Sequence, residues 1–281
     1  MNIDKIIQEL TDLLKRITNG RCSIALAGAH AKGAADVDSD LDLYMLLDDP
    51  KPYEEIRRVI SNAADDPGSV YVSYSFDEAP YGGGIDFTYR GIPIEVTVRF
   101  FSKVRERVEE CLDGRFDIIP QTWTSNGYYT FIYLSELHFI KPVWESDGFI
   151  ETYKEKIKQY PEKLRKSIIT CFLGRAGTWL YNFHYESAIK REDILFTAPI
   201  VLHTVLDMIQ VIFALNRIYF TGDKKLEAAL GAMPYCPRAL TDHLAFLLQT
   251  SKDGEKLRKQ YDILKEIYDD LRAKIAQEQV L

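Results

Sequence analysis

Two aspartates one residue apart, Asp40 and Asp42, open the apolar run Leu41-Asp-Leu-Tyr-Met-Leu-Leu47. Residues two apart on a strand share a face, so both carboxylates point one way while Leu41, Leu43 and Met45 point into the core. Carboxylates side by side repel unless a cation sits between them. Two magnesium ions meet that need, and they also clamp the attacking and leaving oxygens of an in-line phosphoryl transfer. A second acidic pair follows. In Ile92-Pro-Ile-Glu-Val-Thr-Val-Arg-Phe100, alternation sets Ile94, Val96, Val98 and Phe100 inward and Glu95, Thr97 and Arg99 outward. The preceding segment turns Ile85, Phe87 and Tyr89 inward and Asp86 and Thr88 outward. With Arg90-Gly91 as a two-residue hairpin turn, Tyr89 pairs with Ile92 and Asp86 falls opposite Glu95.

The elements that must hold these groups are legible from periodicity. Ile6, Ile7, Leu10, Leu13, Leu14 and Ile17 recur at helical spacing within Ile3–Ile17. Ser23–Ala27 reads as a short buried strand entering a loop from Gly28 to Ser39, and Asp40–Leu47 as the next strand. Tyr53–Ala64 is predicted helical and is closed by the turn signal Asp65-Asp-Pro-Gly68. Val70–Phe76, Ile85–Tyr89 and Ile92–Phe100 are predicted strands. From Phe101 the pattern turns helical: Phe101–Leu112, Tyr128–Phe139, Phe149–Tyr160, Pro161–Tyr181, Phe196–Phe220 and Ser251–Gln279. Pro142–Gly148 is expected to be a hinge. The fold class expected is an α/β front half with a small mixed β-sheet (residues 1–145) followed by an all-α helical bundle (146–281). The active site is expected in a cleft between the two.

Composition narrows the partners. The chain has 281 residues, 46% hydrophobic and 27% charged, as ordinary globular proteins do. Its net charge of -7 argues against long nucleic acid, whose phosphates call for a basic surface. Cys22, Cys111, Cys171 and Cys236 lie far apart and form no CxxC pair, which fits no common zinc spacing and a reduced, cytoplasmic setting. The N-terminus lacks a signal-peptide core, no apolar run is expected to be long enough to span a bilayer, and no membrane partner is expected.

The segment Ala27-Gly-Ala-His-Ala-Lys-Gly-Ala-Ala-Asp-Val-Asp-Ser-Asp-Leu-Asp-Leu43 resembles the signature of the DNA polymerase beta-like nucleotidyltransferase superfamily. That signature is hydrophobic–Gly–Ser, a spacer, then Asp–hydrophobic–Asp. Gly28 matches its Gly, Asp40-Leu-Asp42 matches its metal pair, and Ala29 stands where Ser is usual. The rhythm of Lys32-Gly33 and Ser39-Asp40-Leu-Asp42 is similar to that of the aminoglycoside and lincosamide nucleotidyltransferases. More weakly, Leu215-Asn-Arg-Ile-Tyr219 and Gly222-Asp-Lys-Lys225 resemble the NTP-facing end of their C-terminal domains.

The resemblance implies a nucleotidyltransferase fold and a reaction. An NTP, ATP being the expected donor, would lay its triphosphate against the Gly28–Ala29 loop. Asp40 and Asp42 would hold two magnesium ions and a third carboxylate would complete the site. The hydroxyl of a small acceptor, an antibiotic among the candidates, would attack the α-phosphate and pyrophosphate would leave. Glu95 fits the family's third acidic position and the role of general base for that hydroxyl. Asp86 is the alternative, placed near the acceptor or simply solvated. Lys32, Lys224 and Lys225 are candidate phosphate contacts, each weighed against a solvated cation, and Ser39 belongs to the same motif. His30 is equally a phosphate contact or an exposed loop residue. Asp36 and Asp38 read as solvated loop residues, and Trp123, Trp144 and Tyr185 more often serve the core. Two other functions are kept: a protein nucleotidyltransferase of toxin–antitoxin or regulatory type, and a non-catalytic NTP-binding sensor, to which Ala29 lends weight.

Overall fold

In a computed structural model, residues 3–33, 39–120 and 127–280 are described. The chain falls into two compact units, the first carrying the β-sheet and running to Gln159, the second starting in the main at Tyr160. The architecture is mixed α/β, with a mixed sheet and many helices.

In the first unit, helix α1 (Ile3–Leu14) leads to β1 (Cys22–Leu26), the short α2 (Gly28–Lys32), β2 (Leu41–Leu47) and α3 (Tyr53–Ser61). Then come β3 (Tyr71–Val72), β4 (Gly83–Tyr89), β5 (Ile92–Phe100) and α4 (Phe101–Leu112). A two-stranded ribbon, β6 (Ile118–Ile119) with β7 (Tyr128–Tyr129), precedes α5 (Ile132–Phe139), β8 (Lys141–Glu145) and α6 (Phe149–Lys156). The sheet order is β3-β4-β5-β2-β1-β8, with β2 and β5 parallel and their other neighbours antiparallel. One face is apolar. Leu41, Leu43, Met45 and Leu47 of β2 meet Ile94, Val96 and Val98 of β5, and Ile6, Leu10, Ile56 and Ile60 of α1 and α3 close over them.

The hairpin between β4 and β5 has the register that alternation predicts: Tyr89 pairs with Ile92 and Asp86 with Glu95. Arg90 and Gly91 both take positive φ, 54° and 78°, the backbone of a two-residue turn whose twist matches its strands.

The second unit is helical: α7 (Glu162–Leu180), α8 (Phe183–Lys190), α9 (Ile194–Leu215), α10 (Leu226–Gly231), α11 (Arg238–Leu247) and α12 (Gly254–Gln277). Asp193 and Asp253 cap α9 and α12, accepting from the amides of Phe196 and of Glu255. The Gln260 amide donates to the carbonyls of Phe246, Leu247 and Gln249 and so satisfies the end of α11.

Several expectations are corrected. The expected hinge at Pro142–Gly148 is largely strand: β8 joins β1 at the sheet edge, and Pro142 sits beside a register shift there, a position where a missing N–H breaks no ladder. The Gly28–Ser39 loop begins with a helical turn, α2. The strand expected over Val70–Phe76 pairs at Tyr71 and Val72. The helix expected from Tyr128 starts at Ile132, because Tyr128 and Tyr129 pair with Ile119 and Ile118. Helices α8, α10 and α11 were not anticipated. An apolar run of spanning length does exist: α9 has 22 residues and passes that test by length and composition, while most of its residues are buried within the protein. A core helix that is apolar all round gives the same pattern.

Candidate active site

The carboxylate-bearing strands meet beside the first turn of α2. The Ala27 amide donates to the Asp42 carbonyl at 2.8 Å, which ties the end of β1 to the start of β2. Gly28 follows with φ at 54°. A Cβ at that position would stand 1.7 Å from Oδ2 of Asp42, so only glycine lets the backbone pass this close to the carboxylate. Gly33 ends α2 in the left-handed conformation, its N–H donating to the carbonyls of Ala29 and His30.

Across the sheet the register forms a row. Asp42 is the partner of Glu95, Glu95 of Asp86, and Asp86 of Tyr71. Direct partners share a face, and neighbouring strands lie about 4.8 Å apart. Three carboxylates and a tyrosine therefore line one face over four adjacent strands. Asp42 is half-buried, while Glu95, Asp86 and Asp40 are exposed. Desolvation pushes the Asp86 carboxyl above its ordinary value.

Further along the same face, charge is buried and paired. Tyr44, two residues past Asp42, donates to Glu136 of α5 at 3.0 Å, and Arg99, four past Glu95, donates to the same carboxylate at 2.7 Å. Burial opposes the Arg99 cation, yet Glu136, foremost among its neighbours, holds it above its ordinary range. Burial and then the Glu136 charge push the Tyr44 phenol well up, so it acts as a donor. This network fixes α5 on the sheet behind the carboxylates.

A family described as a domain of unknown function (DUF4037) matches residues 140–226. No curated protein matches the chain. Among solved structures the chain is similar to a nucleotidyltransferase-like protein from Exiguobacterium sibiricum 255-15, with a TM-score of 0.47 and 6% identity, covering 96% of this chain and 75% of that one.

The residues singled out in the sequence fall into four groups. Gly28, followed by Ala29, stands against Asp42, and Asp42 is the strand partner of Glu95, with Ser39 and Asp40 leading into β2. Lys224 and Lys225 are exposed residues of the second unit, where Lys225 precedes α10 with φ at 60°. Asp36, Asp38, Trp123 and the side chain of Lys32 lie outside the described residues. Trp144 packs against the core beneath the Lys15 ammonium, and Tyr185 is fully buried. Among the described residues, no three His, Cys, Asp or Glu side chains stand close enough to hold a metal ion as they lie. Asp42 and Glu95 are the adjacent pair of carboxylates, and Asp40 lies just before β2. Sequence reading did not single out Tyr44, Glu136 or Tyr71. The alternation that placed Asp42 and Glu95 also placed Tyr44 on their face, but Glu136 belongs to a distant helix.

Proposed function

We propose that this protein is a magnesium-dependent nucleotidyltransferase that moves a nucleoside monophosphate, AMP from ATP in the first instance, onto a hydroxyl of a small molecule. The observation that carries the reading is the pairing of Asp42 with Glu95 beside a Gly28 backbone that only a glycine permits. Chemistry needs both halves of that arrangement: carboxylates to gather cations, and a half-buried backbone without a side chain where phosphate can approach. The sequence resemblance supplies the reaction that joins them.

In this reading Asp40, Asp42 and Glu95 would hold the magnesium ions, and these would supply charge neutralisation for the phosphoryl transfer. The Gly28–Ala29 backbone would receive the triphosphate, with Ser39 and Lys32 alongside. Glu95 takes the proton of the acceptor hydroxyl. A bond forms between that oxygen and the α-phosphorus, and the bond to pyrophosphate breaks.

Incubation with magnesium, each of the four NTPs and a panel of hydroxylated metabolites and antibiotics tests this directly. Pyrophosphate release together with an acceptor that gains one nucleotidyl group is the expected result. Ala29 favours one second reading, an NTP-binding sensor, because it lacks the hydroxyl usual there. Tight Mg·ATP binding without release of pyrophosphate over the whole panel would select the sensor.

A further inference from the structure

We infer that the pocket where β5 runs into α4 binds a small organic anion, a carboxylate or a phosphate monoester carried on an apolar body. The pocket belongs to the first unit and has a volume of about 360 Å³. Arg99, in its wall, lies four residues past Glu95 on β5, roughly 13 Å away at the usual rise per residue. The pocket is thus separate from the carboxylate row and needs no metal there. Its size is that of small-molecule sites, which are mostly apolar with a few placed polar groups. Phe76, Phe100 and Tyr133 supply the apolar walls.

Arg99 decides the charge of the ligand. Its side chain is 4% exposed, and Glu136 accepts from Nη2 at 2.7 Å. Nε is buried and has no hydrogen-bond partner among the described residues. A buried donor left in this state is rare in folded proteins and marks a place for a water or an ion. Gly82 makes room for the group: its φ is 74°, and a Cβ there would stand 2.7 Å from Nη1. The guanidinium therefore lies against bare backbone in the pocket wall. The start of α4 adds donors. Amides in the first turn of a helix have no partner within it, and the helix dipole there favours an anion. That turn carries no acidic residue, and its Ser102 and Lys103 line the pocket. Lys103 also meets Glu106 at 3.0 Å, an exposed pair of the kind that contributes little. Among the described residues Asp77 is the one carboxylate lining the pocket; it is exposed and accepts from the Ser75 hydroxyl.

Calorimetric titration of the full chain with phenyl phosphate, benzoate and neutral benzyl alcohol, in magnesium-free buffer at fixed ionic strength, tests this. At least one anion should bind at least about tenfold more tightly than benzyl alcohol, and the tighter of the two names the class. Arg99→Met would leave Glu136 unpaired and endanger the fold, so the test rests on Ser102→Glu. That change sets a carboxylate at an exposed first-turn position, where a helix tolerates it well. It should weaken the anion at least about tenfold while the unfolding temperature holds or rises. Asp42→Asn should leave anion affinity as it is, because Asp42 lies in the carboxylate row and not in this pocket. Equal binding of benzyl alcohol, no measurable binding of either anion, or an affinity that survives Ser102→Glu overturns the assignment. A marked change in Asp42→Asn overturns it as well, because the anion then sits on the carboxylate row.

Discussion

Asp42 and Glu95 are direct partners across the parallel pair β2 and β5, although 52 intervening residues separate them in the chain. Neither position depends on a flexible connection between the two. β2 is anchored to β1 through the Ala27–Asp42 backbone bond and β5 to β4 through the Arg90-Gly91 turn, so the strands themselves hold the two carboxylates side by side. Sites built on strands are positioned more tightly than sites built on loops.

Asp40→Asn and Asp42→Asn should each abolish nucleotidyl transfer while leaving the thermal unfolding temperature near that of the parent. Asp40 is exposed and Asp42 half-buried, and neither belongs to the apolar core. Losing a metal-holding carboxylate removes charge stabilisation from the transition state. Full activity in either variant, measured by pyrophosphate release, would remove it from the site.

The parts of this site that lie on strands were legible in the sequence, because a period of two fixes both face and register. Asp86 opposite Glu95 followed from nothing more than alternation and a two-residue turn. Segments without a period were not legible. The Pro142–Gly148 stretch reads as a hinge because Pro and Gly bracket it, yet its strand character depends on a partner, β1, more than a hundred residues away. The same limit hid Glu136, whose partners Tyr44 and Arg99 lie on two distant strands. Helices α8 and α11 have 8 and 10 residues and offer too few turns for a periodic signal.

Gly28→Ala should be damaging out of proportion to its size. The added methyl would overlap the Asp42 carboxylate, and the residue would keep a positive φ that alanine disfavours. Strain of this kind costs about 1–3 kcal/mol. Chemical denaturation should show that loss together with a collapse of transfer. A variant of normal stability and activity would mean that Asp42 has no need of its present position.

Ala29→Ser restores the hydroxyl usual at this place in the resembling family. A hydrogen bond to a charged group contributes about 1.5–3 kcal/mol, so Mg·ATP affinity should hold or rise, by up to about a hundredfold. Calorimetry reads the change. A large loss of affinity would mean that the triphosphate does not lie on this turn.

Asp207 of α9 makes a prediction about stability and pH. Its carboxylate is buried, and desolvation raises its pKa although Arg175 pairs with it at 3.1 Å. A folded-state pKa above the unfolded one means that folding disfavours the ionised form, a cost present at neutral pH that fades as pH falls through the raised value. Asp207→Asn removes the ionisation, so its unfolding temperature should equal or exceed the parent's at pH 7. The difference should shrink on acidification. A marked loss of stability at pH 7 would show that the Arg175 pair outweighs the desolvation.

The division of labour between Glu95 and Asp86 is the sharpest test of the site. Both carboxylates are exposed, both lie on one face, and each is the other's direct partner, so position on the sheet alone does not rank them. Their other neighbours do. Glu95 has Asp42 on its far side, so in the proposed reaction it is the carboxylate placed to join a β2 aspartate around a cation. Asp86 has Tyr71 there, one strand further from the β2 aspartates, and desolvation raises its pKa. Glu95→Gln should therefore cut kcat by at least about a hundredfold, the lower end for loss of a general base, with little change in ATP affinity. Asp86→Asn should act chiefly on the acceptor KM and leave kcat within a few fold. Steady-state kinetics on both variants with one acceptor separates the roles. Should Asp86→Asn abolish turnover while Glu95→Gln retains it, the base belongs on β4.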